Sequence, residues 1–194
     1  MMITIIDVGS GNIRSVQKVL TYLGQPSIIS EDPQVILRAD RVILPGVGNF
    51  GRVMQELRNR NLESVILQIA QNNTPLLGIC VGLQIMFEES EESPGISGLG
   101  LFKGKVIKFT KGKIPQIGWN KILPGANLLF PEGYAYFVNS YYVMPEDPSL
   151  IAASSDYYGV FTAAVQKDNI LAVQFHPEKS GQYGIEFYRR WITC

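Results

Sequence analysis

The sequence predicts an α/β fold: an open, mostly parallel sheet covered by helices, with additional antiparallel strands in the C-terminal half. Two observations point there. Up to about residue 89, short β-branched apolar runs alternate with helical patterns, as a parallel sheet with helical crossovers requires. After Pro94-Gly95 the chain turns to closely spaced runs rich in Tyr, Phe and Val, divided by turn residues. A length of 194 residues with 46% apolar and 18% charged residues suits one domain, 1–194, with a full core.

The elements follow in order. Residues 2–7 (MITIID) form a strand that runs into Gly9-Ser10-Gly11-Asn12. Ile13, Val16, Leu20 and Leu23 recur at helical spacing, and Gly24 stops that helix. Ser27-Ile28-Ile29 and Val42-Ile43-Leu44 supply the second and third strands, the latter ending at Pro45-Gly46-Val47-Gly48. One helical face carries Phe50, Val53, Met54 and Leu57; the next carries Leu62, Val65, Ile66 and Ile69. Leu76-Leu77-Gly78-Ile79 is the fourth strand, feeding a helix expected from about Val81 to Glu89. Further strands are expected near 104–109, 117–122, 135–143, 151–154, 161–166 and 170–175. A helix from about Gln182 to Ile192 closes the chain, with Ile185, Tyr188, Trp191 and Ile192 facing inward.

Composition excludes several classes of function. Lys+Arg and Asp+Glu both number 17 with no basic run, so neither nucleic acid nor an anionic membrane is an expected partner. No apolar stretch approaches the ~20 residues of a membrane span, and the N-terminus lacks the basic region of a secretory signal. Two cysteines, Cys80 and Cys194, make no disulfide framework and suit a reducing, cytoplasmic setting. With one histidine beside them there is no metal-ligand spacing. Neither a metal nor another cofactor is expected.

The central signal is Gly78-Ile79-Cys80-Val81-Gly82, placed where an apolar strand turns into a helix. Small residues on either side let a strained turn project a nucleophile above the sheet. The following helix start favours thiolate over thiol, and the N–H of Val81 points where an oxyanion would form. Cys80 alone could be one more small buried hydrophobe. A thiolate enzyme also needs a base, and His176 is the one histidine in the chain. It closes the run 171–175 (LAVQF), and the C-terminal edge of such strands is the ligand-facing rim of an open α/β sheet. Glu178 lies two residues on, so extended backbone puts both side chains on one face, and Pro177 keeps the chain out of helix there. A carboxylate beside imidazole fixes its tautomer and supports the imidazolium. Nucleophile, base and orienter are all present.

The remaining loops carry less. Residues 46–48 could stabilise an anion through backbone N–H groups, but lack the sequence of a phosphate loop. Gly9-Ser10-Gly11-Asn12 lacks the third glycine of a dinucleotide fingerprint. The acidic run Glu88-Glu89-Ser90-Glu91-Glu92 reads as a solvated helix end.

With these motifs the sequence resembles the class I glutamine amidotransferases, and among them the glutaminase subunits of imidazole glycerol phosphate synthase. The likeness spans essentially the whole chain and is carried by 44–50 (LPGVGNF), 77–84 (LGICVGLQ), 118–120 (GWN), 136–138 (YFV) with Ser140-Tyr141, and 174–180 (QFHPEKS). It implies a flavodoxin-like core and hydrolysis of L-glutamine to glutamate and ammonia by Cys80, His176 and Glu178. It implies an oxyanion hole from the N–H groups of Val47 and Val81, and glutamine held by Gly46, Gly48, Gln84, Ser140 and Tyr141. It implies a (β/α)8-barrel cyclase partner in a heterodimer, receiving ammonia for histidine biosynthesis, with Asn12, Trp119, Tyr136 and Lys179 near the contact. Trp119 and Tyr136 could equally be ordinary core. The family commonly has histidine at the positions of Gln116 and Asn139, and tyrosine at that of Val8. Since Gln116 and Asn139 fall in segments expected near the partner, a paralogue feeding a different synthase, such as one of surface-sugar biosynthesis, is the alternative reading. A non-catalytic module of the same fold is the other.

Overall fold

The structure, a computed structural model, describes residues 1–9, 12–125 and 129–194. Ser10 and Gly11 of the first glycine-rich loop therefore lie outside the described residues. The N-terminal half alternates as expected: β1 (Ile3–Ile6), α1 (Ile13–Tyr22), β2 (Ser27–Ser30), α2 (Pro33–Leu37), β3 (Arg41–Gly46), α3 (Phe50–Asn59), α4 (Leu62–Gln71) and β4 (Leu76–Cys80). Strands β1, β3 and β4 are buried at every position, the pattern of a sheet covered on both faces. Helix α2 was not foreseen, because five residues are too few to show a period. Its start is nonetheless written locally: Asp32 accepts a hydrogen bond from the Gln34 N–H at 2.8 Å, and Pro33 opens the first turn.

After β4 the expected helix through Glu89 is cut to a single turn, α5 (Val81–Gln84), followed by β5 (Glu89–Ser90). The cause is burial on all sides. Leu83, Ile85, Met86 and Phe87 are consecutive or nearly so and all fully buried, leaving no polar face for a surface helix. The carbonyls of Ile85 and Met86 instead accept from the N–H groups of Leu99 and Phe102 at 2.7 and 3.1 Å. The acidic run is likewise no helix end. Glu88 accepts from Gly104 N–H (3.0 Å), Glu91 from Lys108 N–H (2.9 Å) and Glu92 from Phe50 N–H (2.7 Å). These carboxylates satisfy backbone donors of strand and helix ends.

The C-terminal half comprises β6 (Gly104–Lys108), β7 (Gln116–Pro124), β8 (Gly133–Asn139), β9 (Tyr141–Pro145), β10 (Ile151–Asp156), β11 (Val160–Lys167), β12 (Ile170–Val173) and α6 (Gly181–Thr193). The single strand expected over 135–143 is two, broken at Ser140, because the chain crosses from one sheet to another. Strand β8 ends a nine-stranded sheet of order β2-β1-β3-β4-β12-β11-β10-β7-β8, and β9 belongs to a three-stranded sheet, β5-β6-β9. Strands β2 through β12 in that order are parallel, and β12, β11, β10, β7 and β8 continue antiparallel. In α6, Tyr188, Trp191 and Ile192 are buried as expected, together with Phe187, while Ile185 is half-buried.

Register decides what meets at the sheet's edge. Gly46 of β3 stands opposite Cys80 of β4, and Val173 of β12 opposite Ile79. The carboxyl ends of three neighbouring strands are thus level. Strand β12 stops at Val173, two residues short of the expected run, and the chain beyond it carries His176. Phe175 pins that segment, fully buried with its ring 5.9 Å from Phe137 and 5.6 Å from Phe187.

Candidate active site

Cys80 ends β4 with φ 55° and ψ −108°, a left-handed backbone that a non-glycine residue adopts only under constraint. The flanking glycines make it feasible. A Cβ on Gly82 would sit 2.0 Å from the Leu44 carbonyl oxygen, and one on Gly78 would sit 3.0 Å from both the Ala172 Cβ and the Gly82 oxygen. Neither position has room for a side chain, so the tight turn demands glycine at both. Its consequence is a cysteine that is nearly buried yet lines a cavity of about 550 Å³.

His176 faces the same cavity from the end of β12. Its Nδ1 lies 2.9 Å from Glu178 Oε1, and both side chains are buried. The carboxylate holds the proton on Nδ1, so Nε2 is the nitrogen free to serve sulfur. Burial alone would lower the imidazole pKa. The Cys80 sulfur, through its charge and a hydrogen bond, and then Glu178, outweigh burial and push it up to about 10. The site favours the imidazolium. The second carboxylate oxygen of Glu178 is buried and has no hydrogen-bond partner among the described residues.

A buried serine fixes this turn to the sheet. Ser180 Oγ donates to the His176 carbonyl at 2.7 Å and accepts from the Tyr136 N–H at 2.9 Å, while the His176 N–H donates to the Tyr136 carbonyl at 2.9 Å. Histidine and carboxylate are therefore held against β8.

The cavity gathers most of the residues singled out from sequence. Val47, Gly48, Val81, Gln84, Ser140 and Tyr141 line it, and so do Asn12 and Lys179. Gly46 does not line it; it packs behind, where a Cβ would approach Gly82 N to 2.7 Å. Trp119 and Tyr136 also stand apart from the cavity. Trp119 is 53% exposed and packs edge-on against Tyr136 at 5.9 Å, so it is not core. Gln116 and Asn139, expected near a partner surface, are buried and hydrogen-bonded to each other at 2.8 Å.

Three residues with a place in the site were not selected from sequence. Glu92 lines the cavity, Ser180 staples the histidine turn, and Gln174 donates from Nε2 to Cys80 Sγ at 3.7 Å. Gln174 was within reach of sequence reasoning: it precedes His176 by two, and the same-face argument that selects Glu178 selects it too. Among the described residues no group of His, Cys, Asp and Glu could hold a metal ion, and no helix is long and apolar enough to cross a membrane.

A buried thiol, an imidazole oriented by a carboxylate, and a cavity at the carboxyl edge of a parallel sheet define a hydrolase or transferase of amide or ester bonds working through sulfur. Comparison with known proteins narrows this: the chain belongs to the glutamine amidotransferase class-I family, whose profile matches residues 4–192. It is 45% identical over 202 residues to the imidazole glycerol phosphate synthase subunit HisH of Thermococcus kodakarensis, covering 97% of this chain and 100% of that one. The HisH subunit of Thermosynechococcus vestitus is 46% identical over 201 residues, covering 98% and 96% of the two chains. Among solved structures, a glutamine amidotransferase superposes with a TM-score of 0.80 at 16% identity, covering 98% of this chain and 97% of that one. The PurLQS structure from Thermotoga maritima gives 0.80 at 17% identity, with 99% and 97% covered. At such identities these two structures speak for the fold.

Proposed function

We propose that the chain is the HisH-type glutaminase of imidazole glycerol phosphate synthase, acting as one amidotransferase domain through Cys80, His176 and Glu178. The observation that carries this is the meeting of the Cys80 sulfur and the His176 imidazole, itself held by Glu178, at one cavity that also presents Gln84. Cys80 Sγ attacks the side-chain amide carbon of glutamine. The Val47 and Val81 N–H groups receive the negative charge that builds on oxygen, each such donor contributing about 3 kcal/mol. His176 delivers its proton to the departing nitrogen, ammonia leaves, and a thioester remains on sulfur. His176 then takes a proton from water, which attacks the thioester and releases glutamate. Glu178 keeps the ring in the productive tautomer throughout.

Gly48, Gln84, Ser140 and Tyr141 line the space for the substrate, and Gly46 sets the backbone behind it. Glu92 is the acidic group available to the substrate's α-ammonium. The second half of the function is delivery of ammonia to a (β/α)8-barrel cyclase in a heterodimer. Asn12 and Lys179 on the rim of the cavity, with exposed Trp119 and its neighbour Tyr136, form the surface we assign to that partner. Gln116 is buried, and Asn139, also buried, lines the cavity, so their departure from the common pattern falls inside the molecule and at the glutaminase site and does not argue for a different acceptor.

Glutamine turnover by the purified chain, alone and with the cyclase subunit and its nucleotide ligand, tests the reading. Turnover that rises with the cyclase and vanishes in Cys80→Ser is expected. Turnover indifferent to the cyclase would overturn the assigned partner, and substantial turnover by Cys80→Ser would overturn the nucleophile.

A further inference from the structure

We infer that Gln174 is a positioning residue for the nucleophile, donating to the sulfur and held in that orientation by a chain of buried amides. Its side chain is fully buried at the end of β12, one step beyond the rung that pairs Val173 with Ile79. That step places it beside Cys80. Nε2 donates to Sγ at 3.7 Å, and Oε1 accepts from Gln84 Nε2 at 3.1 Å.

Which end of an amide faces which neighbour is fixed here by one backbone atom. A carbonyl oxygen can only accept, and the Tyr141 carbonyl receives both Gln84 Nε2 at 3.1 Å and Asn139 Nδ2 at 2.9 Å. Gln84 must therefore turn its nitrogen inward, Gln174 must answer with oxygen, and its own nitrogen is left facing sulfur. On the other side Asn139 must present Oδ1, which accepts from Gln116 Nε2 at 2.8 Å, and Gln116 Oε1 accepts from Asn120 Nδ2 at 2.5 Å. Reversing any one amide would set two donors or two acceptors face to face in a buried setting, so the whole chain has one satisfied arrangement. It runs from half-buried Asn120, next to exposed Trp119, to the reacting sulfur. Gln116 and Asn139, the two departures noted in the sequence, are its middle links.

An N–H aimed at sulfur stabilises the thiolate and holds it in place, and its loss leaves the thiolate with His176 alone. The role rests on reading Cys80 as the nucleophile, so the test is one that registers the Gln174–sulfur contact whether or not glutamine turns over. The rate of Cys80 alkylation by iodoacetamide is measured against pH for the full chain and for Gln174→Met, with peptide mass spectrometry separating Cys80 from Cys194. The titratable groups around the sulfur are His176 and its partner Glu178, with Glu92, Lys179 and Tyr141 across the cavity; the substitution alters none of them. The midpoint is expected to rise by about one pH unit, the size of one lost hydrogen bond to a charged group. Cyclase-stimulated kcat should fall at least about tenfold, and KM should rise by less than that, because Gln84 loses its bond to Gln174 but keeps the one to the Tyr141 carbonyl. If Gln174→Met does not fold, Gln174→Glu keeps the shape and the bond from Gln84 but turns an acceptor to the sulfur, and the midpoint should rise further. An alkylation profile that superimposes on that of the unaltered chain, with only thermal stability reduced, would make Gln174 a packing residue and overturn the inference.

Discussion

Cys80 carries a local cost, on the order of 1–3 kcal/mol for its left-handed backbone, and the glycines around it keep that cost from growing. Gly82→Ala should force the Leu44 strand and the elbow apart; a loss of about 3 kcal/mol in urea-monitored stability, with activity lost as the elbow shifts, is the expected result. His176 makes a pH prediction with a definite sign. Its pKa is raised on folding from 6.5 to about 10, so the native state holds the proton more tightly than the unfolded chain. The stabilisation this provides is complete below about pH 6.5 and is lost as pH climbs through 10. Stability curves of the unaltered chain and of His176→Asn should therefore converge at alkaline pH; a gap that widens there would reverse the assignment. Glu178→Gln should lower glutamine turnover less than His176→Ala, because the first disturbs orientation and the second removes the proton carrier. Steady-state kinetics with the cyclase present decide the order. At this scale the sequence was most readable where chemistry is scarce: one histidine, one cysteine between spaced glycines, one carboxylate two residues from the imidazole. Glu92 and Ser180 were not readable, since their roles arise from contacts with residues about forty positions away.

Elements were legible where a period is long enough to see. The alternating strands and helices of the first half follow from apolar spacing, and the all-buried strands mark the parallel core. The segment after Gln84 misled because a fully apolar run fits a helix or a packed loop equally well, and only the carbonyl partners at 98–102 tell them apart. The break at Ser140 was hidden for a related reason: β8 and β9 are both strand-like, and the change of sheet between them leaves no compositional trace. The turn carrying His176 depends on such long-range pairing. Ser180→Ala would strand the Tyr136 N–H in a buried place and leave the His176 carbonyl with the Lys179 N–H as its donor, at a cost of about 1–3 kcal/mol. Denaturant unfolding should register that loss, and turnover should fall with it because the imidazole is no longer braced. Unchanged stability would mean that the staple is redundant with the backbone bonds between Tyr136 and His176.

For the molecule as a whole, an exposed aromatic surface lies close to the cavity. The carboxyl ends of β3, β4 and β12 build the cavity, while the β7–β8 pair, at the end of the sheet and bonded to the histidine turn through Tyr136, exposes Ile117, Trp119 and Tyr134. An aromatic this exposed is a poor investment for a lone chain and a common anchor in an interface. Trp119→Ala should weaken cyclase binding by about 2 kcal/mol, roughly 30-fold in Kd, with the melting temperature of the isolated chain unchanged; a titration with no loss of affinity would place the partner elsewhere. The central claim, that one activated sulfur performs the chemistry, has a more direct test. A glutamine-analogue electrophile should form a single adduct at Cys80, be blocked by excess glutamine, and react far more slowly in His176→Ala, while exposed Cys194 remains unmodified. Labelling of Cys194 in preference to Cys80, or labelling of Cys80 that neither glutamine nor the loss of His176 affects, would contradict it.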